Sequence, residues 1–94
     1  MSGAVVVGCG HFGVTVGDVE RTKEFFVEVL GFSAGAEVSL DPEFSSSVTG
    51  VSGARIEACF VHGHGVAVEL LTYRAPADRG RMEGRSCDVG AAHL

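Results

Sequence analysis

His11 opens the stretch HFGVTV, which is otherwise small and apolar, and Glu69 sits inside VAVELLTY. Both stretches alternate with a period of two, so each reads as a strand whose polar residue stands apart from its apolar set. In residues 11–16, Phe12, Val14 and Val16 point one way and His11, Gly13 and Thr15 the other. In residues 65–73, Val66, Val68 and Leu70 oppose Ala67, Glu69, Leu71 and Tyr73. When the apolar sets share one buried face, His11 and Glu69 share the other. An imidazole and a carboxylate are ligands that zinc and harder divalent cations both accept, with coordination positions left for substrate oxygens. The plainer alternative is a histidine that ends a strand on a backbone carbonyl and a solvated strand glutamate.

The elements that must position these residues follow from the same patterning. Asp18 can cap a helix, Glu20 lies in its first turn, and Gly31 suits the left-handed position after its end. Between them Thr22, Phe25, Phe26, Val29 and Leu30 form one stripe of a 3.6-residue period, opposite Glu20, Arg21, Lys23, Glu24 and Glu28. Phe25 and Phe26 are therefore expected in the core. A second strand at 35–41 sets Ala36, Val38 and Leu40 against Glu37, Ser39 and Asp41, and a third at 54–61 sets Ile56, Ala58 and Phe60 against Arg55, Glu57 and Cys59. HGHG, residues 62–65, reads as a hairpin turn. Segment 41–53, DPEFSSSVTGVSG, reads as a long loop, and 74–90, with Pro, Gly and interspersed charges but no period, as a linker. The reading is an α+β chain whose sheet has an apolar face for the helix and a polar face holding His11, Thr15, Glu37, Arg55, Glu57 and Glu69.

Ninety-four residues give one small module with a limited core. The net charge of −5 is uneven: residues 1–73 carry three Lys/Arg against nine Asp/Glu, and residues 74–94 four against three. The acidic module argues against nucleic acid. Cys9, Cys59 and Cys87 are odd in number and lack CxxC spacing, so a disulfide framework and a zinc knuckle are both unsupported and a reducing cytoplasm is expected. No apolar run reaches membrane-spanning length, and MSGAVVVGCG lacks the pattern of a signal peptide.

Other residues admit two readings. Arg55 and Glu57 on the polar face suit an anion contact and a general base, while a cross-strand ion pair explains them more simply. His62 and His64 fit exposed turn histidines. The arginines at 74, 79, 81 and 85 suit a phosphate or carboxylate clamp, though charged linkers are usually solvated. Cys59 fits a small packing residue better than a nucleophile.

The order strand, helix, three strands, carried by HFGVTVGDVERTKEFFVEVLGF, GARIEACF, GVAVELLTY and VGAAHL, resembles the vicinal oxygen chelate superfamily. This is the glyoxalase, bleomycin-resistance and extradiol-dioxygenase group, with methylmalonyl-CoA epimerase closest in character. The resemblance implies a single βαβββ module over residues 1–73, a linker over 74–90, and the start of a truncated second module at 91–94. It implies half of a cleft that a second copy completes as a homodimer, with metal ligands from the first and last strands of each module. On that pattern His11 matches a first-strand ligand, Glu69 a last-strand ligand, and His93 the first-strand ligand of the next module. The fourth ligand has no counterpart here. Thr15, Arg55, Glu57 and Tyr73 are then substrate contacts. The implied activity is that of a lyase or isomerase which uses zinc, nickel, manganese or iron to polarise a small carbonyl substrate and stabilise an enolate. A metal-free protein that holds a small drug-like molecule is the alternative. Iron-dependent dioxygenation is a third reading.

Overall fold

The computed structural model describes residues 3–93. Six elements run in the order β1 (Phe12–Thr15), α1 (Val19–Glu28), β2 (Ser33–Leu40), α2 (Pro42–Thr49), β3 (Arg55–Gly63) and β4 (Val66–Ala75). The strands form one sheet of order β1-β4-β3-β2, in which β1 is parallel to β4 and the other two pairings are antiparallel. This is the expected α+β, βαβββ arrangement, with a second helix added between β2 and β3.

Helix α1 starts where Asp18 accepts a hydrogen bond from the Arg21 backbone N–H at 3.1 Å, which satisfies one of the free donors of the first turn. Beyond its end Gly31 takes a φ of 75°, and the Phe32 N–H returns to the Phe26 carbonyl at 3.0 Å. The helix packs over β3, β4 and β2. Val19, Phe32, Cys59, Val61, Val68 and Leu70 form the core beneath it, with Val16 and Phe26 packed against them. Phe25 is half exposed and Val29 more so, contrary to the expected stripe. The line actually turned to the sheet begins at Val19 and runs through Thr22 to Phe26, which rotates Phe25 and Val29 onto the flank.

The segment expected as a loop contains α2. Asp41 accepts from the Phe44 N–H at 3.0 Å, Pro42 occupies the first turn where its missing N–H costs nothing, and Gly50 closes the helix in the left-handed region. Ser46 and Thr49 return their hydroxyls to the Pro42 and Ser45 carbonyls, while Ser45 is buried with its hydroxyl unpartnered, so the serine run that suggests a loop lies within a helix. The β3–β4 connection is the two-residue turn His64–Gly65, with φ of 51° and 81°. Both values are positive, as a type I′ hairpin requires, and histidine is among the residues that tolerate this. His64 Nε2 donates to the Leu30 carbonyl at 2.7 Å and ties the hairpin to the end of α1.

After Ala75 the described residues form no further helix or strand. His93 is exposed in this irregular segment, and Leu94 lies outside the described residues. Neither helix is long and apolar enough to cross a membrane.

Candidate functional site

The sheet has a near face, toward α1, and a far face. Strand alternation and cross-strand register assign each side chain to one of them. Cys59 pairs with Leu70 and Val61 with Val68, all buried on the near face. On the far face Phe60 pairs with Glu69 and Ala58 with Leu71. Gly13 pairs with Glu69 from the other side, and a Cβ built on Gly13 would stand 3.8 Å from Glu69 Oε1. The parallel β1–β4 pairing thus carries His11, which directly precedes β1, to the same face as Glu69. His11 Nε2 lies 3.5 Å from Glu69 Oε1, beyond a good hydrogen bond and within ion-pair range. The imidazole side chain is 45% exposed and the carboxylate side chain 19%.

Two strands carry the opposite phase from the one expected. Glu57 faces buried Thr72, and Glu37 faces Cys59, so both glutamates lie on the near face, away from His11. Glu57 accepts from Arg74 at 2.8 Å, and Lys23 of α1 donates to Glu37 at 2.7 Å. The Arg74 guanidinium holds the Glu57 carboxyl below the usual carboxylate range, and the Lys23 ammonium does the same for Glu37. Cys59, expected on the polar face, is buried under α1, and burial pushes its thiol up. The cause is the run Ala58-Cys59-Phe60-Val61: with apolar residues at consecutive positions, both faces of β3 are apolar and alternation marks neither as the core side.

Of the expected site residues, His11, Glu69, Thr15 and Tyr73 therefore share the far face by parity. Glu57 does not join them, and its ion pair matches the simpler reading with Arg74 as partner. Arg55 is exposed at the start of β3 opposite Ala75, where its charge adds to the lowering at Glu57. His93 is not grouped with His11 and Glu69: among the described residues no three His, Cys, Asp or Glu side chains converge as a metal-holding set. The chemistry of His11 and Glu69 fits a divalent ion, but two donors are half of the protein ligands such an ion takes.

The residues the sequence does not reveal are apolar. Val38, Ile56, Ala58, Phe60 and Leu71 stand on the far face with the candidate pair. The Phe60 ring meets the His11 ring at 5.2 Å between centroids and 89°, and lies 6.3 Å from His62 at 16°. A cleft of about 640 Å³ beside the pair is lined by Cys9, His11, Phe12, His62, Val66 and Ala67 among others. A smaller cleft of about 200 Å³ lies between α1 and β2–β3, where Glu20, Glu37 and Glu57 are already engaged by Lys23 and Arg74.

Comparison with known proteins agrees with this architecture. A crystal structure of a glyoxalase family protein from Bacillus cereus superposes with a TM-score of 0.76 at 17% identity, covering 100% of this chain and 62% of that one. At that identity the likeness speaks for the fold, and the chain spans well under the full length of that protein. No curated protein matches the sequence. The family model described as glyoxalase/bleomycin resistance protein/dioxygenase superfamily matches residues 8–94, from the approach to β1 through all four strands and beyond. The chain belongs to the glyoxalase/bleomycin resistance protein/dioxygenase superfamily.

Proposed function

We propose that this chain is half of a divalent-metal enzyme, with His11 and Glu69 as its two metal ligands and a second copy supplying the remainder. The single observation that carries this reading is the 3.5 Å approach of His11 to Glu69, from two neighbouring strands, on the face turned away from α1. Two such pairs related by a two-fold axis make two imidazoles and two carboxylates, a complete protein set with room for substrate oxygens. Held by His11, Glu69 and the same pair of a second copy, an ion of zinc, nickel, manganese or iron would act as a Lewis acid on a substrate carbonyl oxygen, the chemistry a lyase or isomerase of this kind uses. Thr15 and Tyr73 hydroxyls on the same face orient the polar end of a small substrate, and Leu71 and Phe60 receive its apolar part.

Pairing is supported by the exposed edge at β1. That strand is four residues long, and its near-face residues Phe12 and Val14 are 39% and 37% exposed. Free backbone groups at an edge and uncovered apolar side chains both favour a second chain.

A second reading is a metal-free protein that sequesters a small apolar molecule. It is favoured by one observation, the apolar lining of the far face where Arg55, Glu37 and Glu57 are expected from the sequence.

Calorimetric titration with zinc, nickel, manganese and iron separates the two. The metal reading expects binding by the native protein and a loss of at least tenfold on Glu69→Ala, about the value of one charged ligand. Equal binding by both proteins, or none by either, replaces it with the binding-protein reading.

A further inference from the structure

We propose that Phe60 is a positioning residue that sets the orientation of the His11 ring, an inference that rests on His11 being a ligand as proposed above. His11 stands just ahead of a four-residue strand at the sheet edge, and its side chain is 45% exposed. Only a few groups limit its rotamers. Glu69 at 3.5 Å contacts it at Nε2, which restrains one atom and leaves the ring plane free to turn. Phe60 supplies the second restraint. It is two strands away, directly opposite Glu69 across the β3–β4 ladder, and its ring meets the imidazole at 5.2 Å and 89°. A perpendicular contact at this distance is the favoured aromatic geometry, in which a positive ring edge meets a negative face.

The reach is possible because the intervening positions are small. Gly13 flanks Glu69 on β1, and Ala67 faces His62 on β4, so no side chain larger than a methyl stands at either place. His62 in turn lies nearly parallel to Phe60, at 16°. It is seated where a Cβ on Gly35 would fall 2.7 Å from its Nε2, so glycine at that point of β2 leaves room for it. Phe60 is thereby held on one side by His62 and holds His11 on the other. A ligand whose ring is already oriented loses less rotational freedom when it binds an ion, which is a gain in affinity without a new bond to the ion.

The test compares the native protein with Phe60→Leu and Phe60→Tyr, reading the imidazole proton resonances of His11 by NMR without metal, and zinc affinity by calorimetry. His11→Gln identifies the resonances. Phe60→Leu is expected to shift the His11 resonances as the ring current is lost, and to weaken zinc binding roughly two- to tenfold, the factor given by an aromatic contact of this kind. Phe60→Tyr keeps the ring and is expected to restore both. Unchanged His11 resonances in Phe60→Leu overturn the proposal, as does a loss of zinc affinity that Phe60→Tyr fails to rescue. Should the native protein bind no zinc, the metal reading fails by that result, and the NOEs of the His11 ring protons to Glu69 and Ala67, changed in Phe60→Leu and kept in Phe60→Tyr if Phe60 orients the ring and unchanged in Phe60→Leu if it does not, still decide the proposal. Should Phe60→Leu not fold, Phe60→Tyr decides alone: His11 resonances far from their native positions in a folded Phe60→Tyr overturn the proposal.

Discussion

Glu57 faces Thr72 across the β3–β4 ladder, and this pairing places the β3 carboxylate on the opposite side of the sheet from His11. Thr72 is buried on the near face and donates its hydroxyl to the Val16 carbonyl at 3.1 Å, so the register cannot slip by one residue without exposing it.

Glu57→Gln should therefore leave zinc affinity within about twofold of native, while Glu69→Ala lowers it by at least tenfold. Both variants should unfold within about 1 kcal/mol of native, because Glu57 lies in an exposed ion pair and Glu69 at a partly exposed strand position. Calorimetric titration beside urea denaturation measures the four quantities. A Glu57 variant that loses metal as strongly as the Glu69 variant contradicts the face assignment.

The core should respond very differently. Leu70 is fully buried opposite Cys59, in the cluster beneath α1. Leu70→Ala should cost about 2–5 kcal/mol, a large share of the stability of a module this small. A shift of the urea midpoint corresponding to under 1 kcal/mol would mean that α1 collapses onto the space.

Helix α2 gives a local test. Asp41→Ala removes the acceptor for the Phe44 N–H and should cost about 1 kcal/mol, read as faster amide exchange confined to residues 42–49. Unchanged exchange there would mean that the bonds from Ser46 and Thr49 hold the helix without its cap.

Acid should weaken the fold in a defined direction. Arg74 lowers the Glu57 carboxyl, Lys23 lowers Glu37, and the Arg85 backbone N–H and guanidinium lower Asp88. Each folded value lies below its unfolded one, so the stabilisation is complete above the ordinary carboxylate range and is lost as pH falls through the folded values. Urea midpoints should be level from neutral pH to about 5 and decline below about 4. These pairs are exposed, so roughly 0.5 M salt should flatten the decline. A midpoint that rises on acidification would contradict the sign.

Much of this architecture was legible in the sequence, for reasons that differ by element. Asp18, the spacing of Thr22 and Phe26, and Gly31 mark α1 because capping and helical period are local properties. HGHG marks the hairpin because two positive φ values demand such residues. The phases of β2 and β3 were not legible. Apolar residues stand on both faces of β3, and β2 carries a register shift between Ala34 and Glu37 that breaks its count. Helix α2 was hidden by a run of serines, residues that favour turns, of which Ser46 returns its hydroxyl to the Pro42 carbonyl. At the site, parity alone puts His11 and Glu69 on one face, but their adjacency depends on β1 lying next to β4, a non-local fact that alternation within a strand does not carry. Phe60 emerges only once the register opposite Glu69 is known.

The parallel seating of β1 on β4 has a consequence during synthesis. The bond from Thr72 to Val16 spans 56 residues, so the first strand leaves the ribosome long before its partner exists. At about 5–20 residues per second the interval is roughly three to eleven seconds, against microseconds for a hairpin. Through that time HFGVTV has no ladder to join, and its valines and phenylalanine are open to any passing strand. The β3–β4 hairpin, by contrast, closes almost as soon as it is made. The His11–Glu69 pair is thus among the last features of the nascent chain to form, and a chain stalled before β4 would carry His11 with no Glu69 to meet it.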